Sequence, residues 1–341
     1  MRHTCLAILL SLWAGVVAAF ELEERHKYPG GAEELRILST ADQQVFDPIL
    51  RAFQAANPQL TLQYDVASSA EVMTAIYDEG AGYDLVISSA MDLQTKLAND
   101  GYAQPYTSDA TARLPQWARW RDRVFAFTQE PAVLVINTAD FAGMDIPRNR
   151  AGLIALLRAH PAVFRGRIGT YDARISGLGY LFATQDSRNT ESYWQLTEVM
   201  GRLDARLYCC SGAMIADVAQ GELALAYNVL GSYARARAAE TPGIEVVEME
   251  DFVSVMLRSA LIPRGASGAA EAGQLIDFLA GMSARPELAA QTGLPPVGLR
   301  ASEQDETVVR PIRLGPGLLV FLDKMRRETF LRAWTSSIQQ N

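Results

Sequence analysis

The sequence predicts an α/β protein with two sheets, each mostly parallel and flanked by helices. Strand-like and helix-like segments alternate between residues 36 and 99, which is typical of βαβ units. An apolar, β-branched run at 132–137 then indicates a buried strand that leaves this first sheet, and a second strand-turn-helix series follows it. A chain of 341 residues is long enough for two halves that each have a core.

Residues 1–19 have the pattern of a secretory signal peptide. Arg2 supplies a positive charge, residues 6–17 are almost all apolar, and small residues precede Phe20. The apolar run is too short to span a membrane. We therefore expect export, cleavage near Ala19 and, in a Gram-negative source, a periplasmic location.

Composition limits the classes of partner. The chain is 49% hydrophobic and 21% charged, and its formal net charge is −8, which is ordinary for a globular protein in solution. An acidic chain lacks the electrostatic footprint of a protein that binds nucleic acid or an anionic membrane. We expect neither partner, and we expect a monomer.

The first half supplies a regular series of elements. After a polar segment at 20–34, which we expect to be loose, strands and helices alternate at 36–39, 44–56, 60–66, 70–79, 83–89 and 92–99. Ligands of open α/β sheets lie beyond the carboxyl ends of the strands. The polar residues at two such ends are therefore predicted to line a ligand site: Ser39, Thr40, Asp42, Ser88 and Ser89.

The stretch 166–186 predicts an anion-binding wall. A short strand at 167–171 and a polar turn precede Ser176 and Gly177, which open a helix. The start of a helix presents unpaired backbone N–H groups and the positive end of the helix dipole, and small residues let an anion approach. Alternatively, Ser176 is only an N-cap. Arg174 is a planar donor for a phosphate or carboxylate, or else a surface residue, and Tyr180 follows in the helix.

The second half continues with helices and strands. A segment rich in Trp and Arg, 106–123, is expected to form a packed surface helix rather than a nucleic-acid surface. Helices are expected at 152–160, 190–202, 211–219, 269–282, 286–291 and 318–338, and strands at 222–228, 244–250 and 254–262. The helix start at Ser211-Gly212 is a second candidate anion contact. Further candidate ligand residues follow the 222–228 strand: Asn228, Ser232 and Tyr233.

Cysteine and histidine usage argues against a metal or a nucleophilic catalytic set. Beyond the leader, only Cys209 and Cys210 remain, and they are adjacent. They are small buried residues in a turn, a bridged vicinal pair, or a redox or soft-metal site. The three histidines, His3, His26 and His160, are scattered. We therefore predict no metal ligands, no cofactor and no catalytic residues.

The order of these parts closely resembles the periplasmic solute-binding proteins of ABC importers. Within that group, the sequence is similar to the branch that holds ferric-ion, hexose-phosphate and phosphoglycerate binders. The motifs that carry the resemblance are Phe53…Asn57-Pro58, Tyr83-Asp84-Leu-Val, Ala260-Leu-Ile-Pro-Arg-Gly-Ala266, Gly-Leu-Gly-Tyr180, Tyr227-Asn-Val-Leu-Gly-Ser-Tyr233 and Leu314-Gly-Pro-Gly-Leu-Leu-Val320.

The resemblance implies a type II, two-lobed fold with hinge closure over a ligand. Lobe 1 would comprise 36–131 plus 255–341, with the final helix packing across the lobes, and lobe 2 would comprise 132–254. The expected function is capture of a small anionic solute, phosphorylated or carboxylated, for delivery to an ABC permease in the inner membrane or presentation to a sensor kinase.

Two alternatives remain. Ferric-ion members of the branch carry two adjacent tyrosines after the strand that corresponds to 223–228. This chain has Gly231-Ser232-Tyr233 there, which weakens the iron hypothesis. An unusual iron site could still use some of the tyrosines Tyr171, Tyr180, Tyr227 and Tyr233. A secreted enzyme on the same scaffold is the remote alternative, since the sequence has no nucleophile elbow or metal cluster.

Overall fold

The computed structural model describes residues 20–298 and 309–340, and it contains two seven-stranded sheets. The strands are β1 (Glu24–Tyr28), β2 (Glu33–Ser39), β3 (Leu60–Val66), β4 (Leu85–Ser88), β5 (Arg119–Trp120), β6 (Val124–Ala126), β7 (Glu130–Asn137), β8 (Ile168–Tyr171), β9 (Arg206–Tyr208), β10 (Leu225–Leu230), β11 (Ile244–Val247), β12 (Val253–Met256), β13 (Ser259–Leu261) and β14 (Val309–Pro311). The expected signal peptide lies outside the described residues.

Thirteen α-helices accompany these strands in the described residues. They are α1 (Gln43–Ala56), α2 (Ser69–Met73), α3 (Met91–Asn99), α4 (Asp109–Ala112), α5 (Arg150–Ala159), α6 (Pro161–Phe164), α7 (Gly177–Asn189), α8 (Ser192–Arg202), α9 (Ser211–Ala219), α10 (Gly231–Glu240), α11 (Ala269–Ala280), α12 (Pro286–Thr292) and α13 (Lys324–Ile338). No helix in the described part of the chain is long and apolar enough to cross a membrane.

The first sheet has the strand order β1-β3-β2-β4-β13-β6-β5. Its parallel pairs are β2 with β3 and β2 with β4, as the βαβ series predicts, and the other neighbours are antiparallel. The second sheet has the order β14-β12-β7-β10-β8-β9, and β11 also pairs with β7. The α/β architecture with two sheets is confirmed, and both sheets are mixed because strands that cross between them or extend their edges enter antiparallel.

Among the described residues, two short segments carry the chain directly from a strand of one sheet to a strand of the other. Residues 127–129 connect β6 to β7, and Leu257 and Arg258 connect β12 to β13. The segments are hydrogen-bonded to each other, because the Phe127 N–H donates to the Arg258 carbonyl over 3.0 Å. Arg258 also pairs with Glu130 over 3.0 Å, and neither side chain is exposed. The two crossings therefore form one buried, charged joint.

Apolar packing covers both faces of the second sheet. The larger cluster spans the first sheet and its helices and continues through Val133 and Val135 of β7. The smaller cluster packs α5, α8 and α13 on the opposite face, with Phe330 and Trp334 from α13. The carboxyl-terminal helix therefore rests on the second sheet.

Four local expectations were wrong. The segment 20–34 is not loose, because β1 pairs with β3 along the edge of the first sheet. The segment 106–123 does not form one helix: it contains the short helix α4, a 3₁₀ turn at Gln116–Ala118 and strand β5, and the positive φ of Arg121 and Asp122 marks the turn that follows. The strand at 254–262 is split by the crossing at Leu257 and Arg258. The last helix begins at Lys324 rather than at residue 318. The side chain of Asp323 caps its start by accepting a hydrogen bond from the Arg326 N–H.

Candidate functional site

A cleft cavity of about 70 Å³ opens between the two sheets. Its lining combines turns after β2, β3 and β4 with the starts of α7, α9 and α10. The lining residues are Glu23, Thr40, Asp42, Ala67, Ser68, Ser69, Ser89, Tyr171, Ile175, Ser176, Leu178, Cys209, Cys210, Ser211, Gly212, Leu230 and Tyr233. Carboxyl ends of parallel strands and amino ends of helices thus meet here, as expected for this class of fold.

The wall from the first sheet presents hydroxyl groups. The Ser89 N–H donates to Thr40 Oγ1 over 3.1 Å, and the two hydroxyls lie 3.3 Å apart. Ser68 caps α2 by accepting from the Glu71 N–H. These side chains come from turns after neighbouring strands, and this placement explains why residues distant in sequence meet in the cleft.

The wall from the second sheet contains two helix starts. Ser176 caps α7, because its hydroxyl accepts from the Gly179 N–H over 3.1 Å. Cys210 precedes α9 and makes no side-chain cap, so the first turn of α9 presents N–H groups that the helix itself cannot pair. The Ser211 hydroxyl accepts from the Leu230 N–H and bonds to the Tyr171 hydroxyl, which holds the start of α9 in place.

Two hydrogen bonds join the walls directly. The Gly177 N–H donates to Ser69 Oγ over 2.9 Å, and the Asp42 N–H donates to the Tyr233 hydroxyl over 3.2 Å. Each links an element attached to the first sheet with one attached to the second. The described structure is therefore a closed arrangement of the cleft.

The electrostatics of the cleft are unusual for an anion site. No lysine, arginine or histidine is among the described lining residues, whereas Glu23 and Asp42 both are. Removal from water, then repulsion from Asp42, raises the pKa of the Glu23 carboxyl. Removal from water also raises the pKa of Asp42, and the buried Arg258 guanidinium opposes that rise. The groups that could attract an anion in the cleft are therefore the helix starts and, behind the wall, Arg258, which is already paired with Glu130.

Five of the twelve candidate residues predicted from sequence line this cavity: Thr40, Asp42, Ser89, Ser176 and Tyr233. The other seven do not line it. Ser39 and Ser88 hydroxyls accept backbone N–H groups two residues on, and so hold their turns. Ligand contact by these twelve residues remains a prediction.

The remaining five have partners that occupy their functional groups. Asn228 has a φ of 62° at an irregular point in the β10–β7 pairing, and its amide donates to Asp186. Ser232 donates to Glu130, Tyr180 donates to the Phe321 carbonyl, and Arg174 forms an ion pair with Asp172 over 2.6 Å. Gly177 lies at the direct contact with Ser69.

Sequence reasoning missed several cleft residues. Glu23 was missed because the segment before β2 was expected to be loose. Ser68 and Ser69 follow β3 in the same way that Thr40 follows β2, so their position after a parallel strand was an available signal. Tyr171 was expected to end a strand and was considered only as one of four tyrosines that could bind iron, and no pattern in the sequence shows that its ring faces a cavity.

Cys209 and Cys210 form a vicinal disulfide at the edge of the cleft, immediately before α9. Cys209 is exposed, so the first of the three interpretations, small buried residues in a turn, was wrong. Among the described residues, no group of three or more His, Cys, Asp or Glu side chains could hold a metal ion.

The comparisons with known proteins agree with this fold. The sequence profile of the bacterial extracellular solute-binding proteins matches residues 35–293. The chain belongs to this family. The substrate-binding protein of an ABC transporter from Agrobacterium tumefaciens is 31% identical, with a TM-score of 0.87, over 92% of this chain and 98% of that one. No curated protein sequence matches.

More distant structures share the fold of this solute-binding protein. The periplasmic protein AfuA from Actinobacillus pleuropneumoniae, solved with fructose 6-phosphate, has a TM-score of 0.71 at 15% identity, over 91% of this chain and all of that one. Iron-bound HitA from Pseudomonas aeruginosa has a TM-score of 0.68 at 15% identity, over 90% and 99%. Together with the relative from Agrobacterium tumefaciens, they show the two-lobed, type II fold of periplasmic binding proteins.

Proposed function

We propose that this protein is the substrate-binding component of an ABC importer and captures a small anionic solute in the cleft by hinge closure. The observation that carries the proposal is the uncapped start of α9 in the cleft wall. Backbone N–H groups and the helix dipole there favour a phosphate or carboxylate group. Hydroxyls of Thr40, Ser89 and Ser176 supply further hydrogen bonds to its oxygens.

The two carboxylates narrow the ligand class. Glu23 and Asp42 would repel a compact anion that carries no hydrogen-bond donor. They would accept hydrogen bonds from hydroxyl or ammonium groups on the rest of the ligand. The preferred solute therefore has an acidic group at one end, near α9, and donors at the other, as a sugar phosphate or a hydroxylated carboxylate has.

Hinge closure is supported by the two crossing segments and by the direct contacts across the cleft. We propose that the halves turn about 127–129 and 257–258, dividing the chain broadly at 131 and 255. Strand β14 and helix α13 move with the second half, because they pair with β12 and pack on α8. Closure would form the Ser69–Gly177 hydrogen bond, and opening would break it.

Ferric iron is the second candidate, favoured by the oxygen donors in the cleft. Tyr171 and Tyr233 line it together with Glu23 and Asp42. Burial raises the pKa of both tyrosines, so neither is a phenolate without a bound cation. A ferric complex would have to offset that cost, which makes the organic anion our first choice.

Location and partners follow from the proposed role. We propose that residues 1–19 are removed on export and that the mature protein works in the periplasm as a monomer. It would deliver its solute to a permease in the inner membrane. Presentation to a sensor kinase is a further role, and no contact in the structure favours it over delivery.

The test is a ligand panel on stripped mature protein and on Gly212→Asp, which adds a carboxylate at the second residue of α9. Fructose 6-phosphate, citrate, fructose and ferric citrate are compared by thermal shift. The variant should lose binding of the anion by more than about tenfold, which is about 1.4 kcal/mol. Ala270→Asp is the matched control, since it adds the same charge at the second residue of α11, where the side chain is exposed.

Three results would contradict the proposal. One is a response to fructose alone. Another is an anion that stabilises Gly212→Asp as strongly as the parent. The third is a visible charge-transfer band with ferric citrate and no response to organic anions, which would instead establish the iron alternative.

A further inference from the structure

A second cavity, of about 250 Å³, lies beside the cleft and is separated from it by the Ser69–Gly177 hydrogen bond. We call it the Asp92 pocket. Met73 and Leu93 form its wall on the side of the first sheet, and Tyr180 of α7 and Leu322 form the wall on the other side. An engineered apolar cavity of about 150 Å³ holds benzene, so this pocket has room for a ligand of that size or larger.

The floor of the pocket carries a buried carboxyl group. Asp92, the second residue of α3, is only 3% exposed. Its Oδ1 accepts the Leu93 N–H over 2.9 Å, and the backbone N–H of Asp92 itself also favours the carboxylate. No side chain among the described residues donates a hydrogen bond to this group. Burial raises the pKa of Asp92 to about 7. A buried carboxylate without a cation in direct contact is costly, so the site would gain from a charged donor on a ligand.

The mouth of the pocket carries one cation without a carboxylate partner. Three cationic side chains line the pocket, but Lys96 is paired with Asp100 and Arg174 with Asp172. Arg327 has no carboxylate within ion-pair distance among the described residues, and its guanidinium lies 5.4 Å from the centre of the Tyr180 ring. The pocket thus has a buried carboxyl group and an exposed guanidinium that attract each other without forming an ion pair, with apolar wall residues beside them.

We propose that the Asp92 pocket binds a free apolar amino acid as its zwitterion. The ammonium group would donate to Asp92 Oδ2, the carboxylate would pair with Arg327, and the side chain would pack against Met73, Leu93 and Leu322. An amine alone would leave Arg327 unpaired, and a carboxylic acid alone would leave Asp92 unpaired. The zwitterion is therefore the class that satisfies both groups.

A ligand in this pocket would also affect binding in the cleft, and this step rests on the proposed hinge closure. Because both halves contribute walls, an occupant contacts both and favours the closed arrangement. By linkage, a bound amino acid would then strengthen capture of the cleft ligand, and the cleft ligand would strengthen binding of the amino acid by the same factor.

Isothermal titration calorimetry with free L-leucine tests the site directly. The parent protein should bind leucine more tightly than 3-methylbutylamine or 4-methylpentanoate, which each lack one charge. Asp92→Asn and Arg327→Gln should each weaken leucine binding at least tenfold. Asp109→Asn is the matched control, since this exposed residue of α4 does not line the pocket, and it should bind leucine like the parent.

Several outcomes would overturn the proposal. One is that the parent protein does not bind leucine at millimolar concentration. Another is that the parent and the three variants all bind leucine with the same affinity. Loss of leucine binding in Gly212→Asp but not in Asp92→Asn would place leucine in the cleft instead. Arg327 is exposed, so its variant should fold even if Asp92→Asn does not. The anion panel is a separate measurement, so a negative result with leucine would not contradict anion capture in the cleft.

Discussion

Replacing Asp92 by Asn should change the pH dependence of stability by an amount that the structure sets. Burial raises the pKa of this carboxyl to about 7, from an ordinary value of 3.8. The shift of about three units corresponds to about 4 kcal/mol, at 1.36 kcal/mol per unit. Because the raised pKa means that the folded state holds the proton more tightly, the native protein loses stability as the pH rises from about 4 to about 7.

Asn cannot ionise and keeps the shape of the protonated acid, including an oxygen for the Leu93 N–H. The variant and the parent should therefore have similar free energies of unfolding at about pH 4. At about pH 8 the variant should be more stable by about 4 kcal/mol. Other titrating groups, such as Glu23 and Asp42, are common to both proteins and cancel in the difference.

Urea unfolding of the mature parent, Asp92→Asn and Asp109→Asn across this pH range provides the measurement. Asp109→Asn should follow the parent, since that side chain is exposed. Parallel curves for the parent and Asp92→Asn would refute the reasoning, because they would mean that the Asp92 carboxyl titrates alike in the folded and unfolded chain. A variant that is less stable at every pH would mean that the carboxylate has a stabilising partner.

Three further predictions concern the cleft and its joint. Ser69→Ala removes the hydroxyl that accepts the Gly177 N–H, and should weaken binding of the cleft ligand, measured by calorimetry, by about 0.5–1.5 kcal/mol. Unchanged affinity would show that this contact does not form on closure. Glu130→Gln leaves the Arg258 guanidinium buried without its charge partner, and should cost about 3–5 kcal/mol in urea unfolding; a loss below about 1 kcal/mol would contradict a buried ion pair. Replacing both Cys209 and Cys210 by Ser should change the melting temperature little, since a bridge between neighbours constrains the unfolded chain little, and a large drop would show that the bridge holds α9 in place.

The first sheet was largely predictable because its signals are local. Helix α1 spans Gln43–Ala56, within one residue of the predicted start, since its apolar spacing and the Asn57-Pro58 stop are both short-range features. The N-cap role of Ser176 was likewise predictable, because a cap bonds to the N–H groups that follow it. The position of Arg174 was not predictable from such local signals. It pairs with Asp172 and lines the Asp92 pocket rather than the cleft.

By itself the sequence determined the α/β class, the order of strands and helices and the turns that carry hydroxyl groups, because these depend on neighbours within a few residues. Only the tertiary structure decided which of those turns face each other. Ser69 and Gly177 are separated by 108 residues, yet they share a hydrogen bond, and Glu23 reaches the cleft through an edge strand that no local pattern marked. Asp92 shows the same division, since its buried carboxyl and its pocket arise from elements of both sheets packed together.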